Sequence, residues 1–289
     1  MPTTTKRGIS RAGLITGIGL LVLHLGALAA FIPAFFSWTA VEVGFLFYYL
    51  TIALGIGLGY HRLLTHRSLR TSKPVEYGLA ILGALALQGG PIDWIGTHRA
   101  HHAHTDKEGD PHDANRGMFW SHMEWLYRDN AAKPIGAELR RLAPDLVDIK
   151  FYAFLEKTYV WWTVALAFLF LAIGGWSWVV WGIFVRIVVT YHITWLVNSA
   201  AHEVGYQSYR TGDKSTNNWW VAILTWGEGW HNNHHAFPSS ARHGLRWYEI
   251  DATWITIKLM KALSLAHDIK LPTPGMIARM SFEPRAARE

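Results

Sequence analysis

Residues 38–66 read WTAVEVGFLFYYLTIALGIGLGYHRLLTH. From Trp38 to about Tyr60 the run is apolar all round. It is about 23 residues long, enough to cross a hydrocarbon core of ~30 Å. His61 and His66 follow with no linker. A span that runs straight into paired histidines predicts two things together: an all-α integral membrane fold, and a metal site at the helix ends.

Reading outward, Leu14 to about Phe36 forms another span, with almost nothing between it and Trp38. Tyr159 to about Ile173 and Trp176 to Ala201 form a second pair, separated by Gly174-Gly175. This pattern predicts four transmembrane helices in two hairpins (spans at about 14–36, 38–60, 159–173 and 176–201). A helical cap of residues 61–157 and 205–270 completes one domain over 1–289. The run from Gly78 to Leu87 is about ten residues, which suits a core or interfacial helix better than a span.

Composition agrees: 51% of residues are hydrophobic, mean hydropathy is +0.11, and many of the 16 Trp and 11 Tyr flank the apolar runs. The net charge of +6 brings no nucleic-acid motif with it, so nucleic acid is excluded as a partner. With no cysteine there are no disulfides, zinc knuckles or iron–sulfur clusters. The first apolar run is too long for a cleavable signal peptide and leads to no cleavage site. Of the 27 Lys and Arg, all but Arg186 lie before the first span, between the hairpins or after the last span, and the hairpin turns carry none. That bias puts both termini and the histidine-bearing side in the cytoplasm.

The histidines decide the chemistry. His98, His101 and His102, and again His231, His234 and His235, repeat the spacing i, i+3, i+4, which lines one helical face. With His61, His66 and His202, which closes Asn198-Ser199-Ala200-Ala201-His202, nine of the 16 histidines sit in four short stretches. Four spans return all four stretches to one side. Nine imidazoles exceed any single first-row coordination sphere and imply two ions; ligand type alone admits zinc, copper or iron. The boxes hold almost no carboxylate, leaving Glu203 and Glu228 as partners for the ligating rings. His24, His104, His112, His122, His192, His243 and His267 are read as lying outside the site. Arg186, inside a span, marks either function or a partner for a backbone carbonyl or Glu42.

The motifs HRLLTH, HRAHH, NSAAH and HNNHH, in this order and with two helical hairpins, resemble the membrane-bound Δ9 fatty acyl desaturases of the stearoyl-CoA desaturase type. The resemblance runs from about Trp38 to Trp247 and includes Asp110-Pro111-His112, Arg116-Gly117 and Ser121-His122. It implies two iron ions. One is held by His61, His98, His102 and His234, with Asn198 acting through water. The other is held by His66, His101, His202, His231 and His235. It further implies O2 as co-substrate and a cis double bond, at Δ9, in a saturated C16/C18 acyl chain. A separate electron donor, such as ferredoxin or cytochrome b5, serves it. Gln88, Trp94, Thr194 and Trp195 correspond to residues that bend the acyl chain beside the irons, and Tyr49 and Ala53 to the closed end of the tunnel. The sequence departs from the acyl-CoA enzymes at Gly96 and Thr97, where an Arg-Asp pair helps hold coenzyme A. That departure leaves acyl-CoA and lipid ester open as carriers. A di-iron hydroxylase or alkane monooxygenase, and a metal transporter, are the competing readings. The transporter fits less well, because its ligands would sit at mid-membrane in broken helices.

Overall fold

The structure, a computed structural model, describes residues 8–130 and 132–282, so Lys6, Arg7, Arg285 and Arg288, counted above for orientation, lie outside it. The chain is mostly helical, with α1 Arg11–Leu28, α2 Trp38–Thr65, α3 Lys73–Ala84, α4 Pro91–His104, α5 Met118–His122, α6 Gly136–Leu142 and α7 Pro144–Val147. Then come α8 Lys150–Val179, α9 Arg186–Asn198, α10 Trp219–Leu224, α11 His231–Ala236, α12 Ala252–Ala262 and α13 Pro274–Met280. Two short strands, β1 Arg70–Thr71 and β2 Ala266–His267, pair antiparallel.

Among the described residues, three helical stretches are long and apolar enough to cross a membrane: Arg11–Phe31, Trp38–Thr65 and Lys150–His202. The third has 53 residues, which at 1.5 Å each spans about 80 Å. It breaks at Gly175, whose φ of 65° and ψ of −161° lie outside helical space. The sequence boundaries shift: α2 runs five residues past Tyr60, to Thr65. Helix α1 ends at Leu28 instead of about Phe36, because Pro33 forces the preceding Ile32 into extended backbone and short 3₁₀ turns carry the chain onward. Helix α8 begins at Lys150, nine residues before the apolar run, because its first turns pack on the cap and need no apolar surround: Tyr152 and Leu155 are fully buried.

Burial differs sharply among these helices. Only 6% of the most apolar window of α1 is buried, against 44% for α2. Leu14, Ile15, Ile18, Leu21, Val22 and Leu25 on α1 are all exposed, an apolar surface of the length and composition of a membrane span. Helix α2 is the central post. Its Ile52, Ile56, Leu58, Tyr60 and Leu63 share one core with Leu79, Ala80 and Ala84 of α3, so Gly78 to Leu87 is a core element, as its length suggested. At the crossing a Cβ on Gly55 would fall 2.5 Å from the Gly83 backbone nitrogen, so only glycine allows that approach.

From Leu50 to Thr65, α2 winds as a π-helix. The His66 N–H donates to His61 O at 3.1 Å, and the Thr65 hydroxyl donates to Tyr60 O at 2.7 Å, both five residues back. Arg186 lies fully buried and donates to Gly182 O (2.6 Å) and Leu85 O (2.9 Å). It is therefore a backbone partner and a structural tie between α9 and the end of α3.

Candidate metal centre

Four elements bring nine imidazoles together. The last π-turn of α2 supplies His61 and the residue that ends it, His66. Helix α4 supplies His98, His101 and His102. The 3₁₀ turn Ala200–His202 supplies His202, and α11 supplies His231, His234 and His235. Helix α4 starts at Pro91, where a missing N–H costs nothing, and the Glu156 carboxylate from α8 accepts from the Ile92 (2.7 Å) and Asp93 (3.2 Å) N–H groups. Helix α11 is too short to hold itself. Asn232 Oδ1 accepts from the Ser208 and Tyr209 N–H groups (2.7 and 2.8 Å), and Asn233 Nδ2 donates to Glu249 (2.7 Å). The two asparagines of HNNHH are thus the anchors that aim its histidines.

The imidazoles form two sets, each with candidate ligand atoms within 4.8 Å of one another. The first contains His61, His66, His98, His102 and His234, with Nε2–Nε2 separations of 3.1 Å (His61–His234), 3.2 Å (His66–His98) and 3.0 Å (His98–His102 and His102–His234). The second contains His101, His202, His231 and His235, with 3.0 Å for both His202–His231 and His231–His235. His66 therefore joins the first set, not the second as the resemblance implied. Its five-residue step from His61 is one π-turn, so the two rings lie along one side and meet edge to face, with centroids 4.8 Å apart. In an α-helix of ~100° per residue the same step would turn His66 roughly 140° away.

Four carboxylates stand behind the rings. Nδ1–H of His101 donates to Asp110, that of His202 to Asp106 and that of His235 to Asp213, each at 3.0 Å; Nδ1–H of His61 donates to Glu228. The sequence reading that the site was nearly free of carboxylate is corrected by these contacts, and Glu203 is exposed, away from the rings. Asp106 reaches His202 because it adopts the left-handed conformation (φ 55°) directly after α4, one that Asp tolerates. Glu228 also bonds the fully buried Arg62, which pairs in turn with Asp251 (3.0 Å). Adjacency to the last histidine stretch found Glu228, as the sequence reading had it; Asp110, nine residues from His101, and Asp106, Asp213 and Asp251 were not singled out as ring partners. His112 and His243, read as outside the site, pack against it. The His112 ring lies 4.2 Å from that of His101, and the His243 ring 4.6 Å from that of His234, each near the carboxylate of a box histidine.

A carboxylate that takes the Nδ1 proton fixes a tautomer whose Nε2 carries a lone pair. In His61, His202 and His235 that lone pair faces the Nε2 of a neighbouring ring at about 3 Å, and in His101 it meets no partner, an arrangement that a cation at each convergence point would satisfy. Burial pushes the rings of His66, His98, His102, His231, His234 and His235 well below the usual imidazole range, and the neighbouring imidazoles push further. The ligand-competent neutral form is therefore the resting one. Burial alone would raise the Asp110 carboxyl, but His112, His101 and its hydrogen bonds together hold it below the usual range. Glu228 is held low in the same way, chiefly by Arg62. The donor set fits two transition-metal ions.

Beside the first set lies a cavity of about 470 Å³ between α1, α4, α8 and α9. Gln88, Trp94, His98, Thr194, Trp195 and Asn198 all line it. Gln88 Nε2 donates to the Thr194 hydroxyl (2.8 Å), Trp94 Nε1 donates to Gln88 Oε1 (3.3 Å), and Trp94 stacks on His98 at 5.1 Å. Trp94 and Trp195 are thus wall residues and not merely interface anchors. Tyr49 and Ala53 do not line this cavity. Tyr49 bonds Thr256 (2.9 Å) and packs on Trp226, and Ala53 is fully buried.

A sequence model of the fatty acid desaturase family matches residues 36–268. The chain is 54% identical over 269 residues to the sn-1 stearoyl-lipid 9-desaturase of Anabaena variabilis, covering 93% of this chain and 97% of that one. It is 48% identical to the chloroplastic palmitoyl-monogalactosyldiacylglycerol delta-7 desaturase of Arabidopsis thaliana (92% and 71% covered). With the icosanoyl-CoA 5-desaturase of Limnanthes douglasii the identity is 45% (89% and 72% covered). Identity at this level across nearly the whole length, together with the paired histidine sets, means that the chain belongs to the fatty acid desaturase family and is an oxidoreductase acting on fatty acyl substrates.

Proposed function

We propose that this enzyme is a di-iron, O2-dependent acyl-lipid desaturase that places a cis double bond at Δ9 in a saturated C16/C18 chain. The observation that carries the reading is the pair of histidine sets with converging ring nitrogens, one of them on the wall of an apolar cavity. Nine imidazoles in two sets suit redox ions better than hydrolytic zinc, which takes about three protein ligands.

His61, His66, His98, His102 and His234 would hold one iron, and His101, His202, His231 and His235 the other; Asn198 lines the same cavity as His98. The bound pair would supply O2 activation and electron transfer, drawing two electrons from a separate donor such as ferredoxin or cytochrome b5. The protein's own residues do the rest. Asp106, Asp110, Asp213 and Glu228 accept the Nδ1–H hydrogen bonds of His202, His101, His235 and His61 and so keep the Nε2 of those four rings inward. Trp94, Trp195 and the Gln88–Thr194 bridge shape the cavity so that one pair of methylenes lies beside His98. The apolar wall keeps bulk water from the reacting carbons.

Carrier choice rests on α4. A Cβ on Gly96 would meet Leu139 Cδ1 at 2.5 Å, so the place of the arginine that grips coenzyme A in acyl-CoA enzymes is taken by a leucine of α6. This favours a lipid ester. Relatives named for positions 9, 7 and 5 show that the fold supports several positions, and Δ9 follows the most similar of the three described above.

The break at Gly175 divides the 53-residue stretch into two crossings. With α1 and α2 this supports our reading of four spans in two hairpins, in a single domain; the distribution of Lys and Arg supports both termini and the metal centre on the cytoplasmic side. Expression in a host that makes no unsaturated fatty acids, followed by gas chromatography, tests the function. New cis-9 monoenes in membrane lipids are expected; hydroxylated chains or an unchanged profile would overturn it.

A further inference from the structure

The cavity wall carries three polar side-chain atoms with no hydrogen-bond partner: Thr97 Oγ1, Trp125 Nε1 and His112 Nδ1, the last with Asp110 Oδ1 3.7 Å away, beyond hydrogen-bond reach. Their residues are 7%, 5% and 7% exposed. Buried polar groups are almost always paired, and three orphans around one cavity point to a partner that arrives with the ligand. Their chemistry narrows the ligand. A hydroxyl, an indole N–H and a ring nitrogen suit neutral oxygen acceptors and hydroxyls. Phosphate calls for guanidinium or ammonium groups, and Lys133 is the only Lys or Arg lining the cavity among the described residues. Its Nζ already lies 3.6 Å from Asp93 Oδ2.

We propose that Thr97, Trp125 and His112 form a station for the ester end of the substrate, the carbonyl and glycerol oxygens of an esterified acyl chain. The station deepens the acyl-lipid reading and rests on it. The Thr97 hydroxyl and the Trp125 indole N–H donate to the ester carbonyl, and His112 takes a neighbouring glycerol oxygen. Thr97 directly precedes His98 on α4, so one rigid helix carries both the group that holds carbon 1 and a ring of the first histidine set. The position of the double bond is then counted from a fixed origin, and Thr97 is a specificity determinant that touches substrate.

Ester-specific recognition tests the station. Purified, iron-loaded enzyme in lipid nanodiscs is given a galactosylglycerolipid carrying 1-stearoyl, or its 1-O-octadecyl ether, which lacks the carbonyl. Wild type should have a KM for the ester about three- to tenfold below that for the ether. Thr97→Val, which keeps the shape and removes the hydroxyl, should abolish that preference by raising the ester KM alone, and should scatter the double bond to neighbouring positions. Thr97→Ser should restore both, and Trp125→Phe should reproduce the loss. Continued turnover of the ether shows that each variant is folded. An ester-to-ether ratio and bond position unchanged in both Thr97→Val and Trp125→Phe would overturn the station while leaving the acyl-lipid reading intact. Wild type that converts stearoyl-CoA and neither glycerolipid would overturn that reading itself, and the station with it.

Discussion

The two histidine sets differ in what stands behind them. In the second set, three of the four rings donate an Nδ1–H hydrogen bond to an aspartate of their own: His101 to Asp110, His202 to Asp106 and His235 to Asp213. In the first, only His61 among five has a carboxylate, and that carboxylate, Glu228, is shared with Arg62. The first set is also the one whose His98 meets the cavity. A carboxylate partner locks orientation and raises ligand basicity. The second set is therefore the fixed, electron-rich pole, and the first is the adjustable pole beside the substrate.

The largest expected effect removes a pole outright. His98→Ala or His231→Ala should abolish desaturation and lower bound iron from two to about one per chain, measured by metal analysis of protein still inserted in membranes. Full activity in either variant would break the assignment of that ring as a ligand.

Next come the supporting carboxylates. Asp110→Asn should weaken metal affinity about 10- to 100-fold at the second set alone. Glu228→Gln should weaken the first set and destabilise the fold as well, because Arg62 stays buried with Asp251 as its only full anionic partner. Chelator titration followed by thermal melts separates the two; equal stability losses would erase the contrast.

Acid gives a smaller, graded effect. Rings whose folded pKa lies below 6.5 bind fewer protons folded than unfolded, so stability is intact above about pH 6.5 and falls as pH drops beneath it. Burial pushes His243 down to about 4 and His112 to about 3, so their share is lost progressively between about pH 6.5 and those values. Metal-free protein should show a falling Tm over this range, and metal-loaded protein should resist longer. A flat profile for the metal-free form would mean that the rings are not held neutral.

The smallest effect lies away from both poles. Ala53 is fully buried in α2, so Ala53→Phe should cost about 1–3 kcal/mol through overpacking with product chain length unchanged. A shift to shorter products would instead place Ala53 at the tunnel end, as the family resemblance implies.

Much of this was legible in the sequence, for physical reasons. Apolar runs as long as a bilayer is thick announce themselves, and so do rings at i, i+3, i+4 on a helix. The pairing of His66 was not legible, because a π-turn and an α-turn have the same sequence and differ only in which carbonyl accepts. Nor were the aspartates. His202 and Asp106 lie 96 residues apart, and only the left-handed turn after α4 brings them together. Reasoning from neighbours favoured Glu203, which sits one position from His202 but faces solvent.

The exposure of α1 has an evolutionary consequence. A helix that touches lipid along most of its length is as free to vary as a water-facing surface, but with the alphabet inverted. Leu14, Ile18, Leu21 and Leu25 should exchange freely among large aliphatic residues, while any charge there is selected against. The invariant points should be few and small. Gly26 is one, since a Cβ there would lie 2.3 Å from the Phe184 ring. Relatives of this enzyme should therefore drift fastest along the helix that looks most uniform, and slowest where that helix carries no side chain at all.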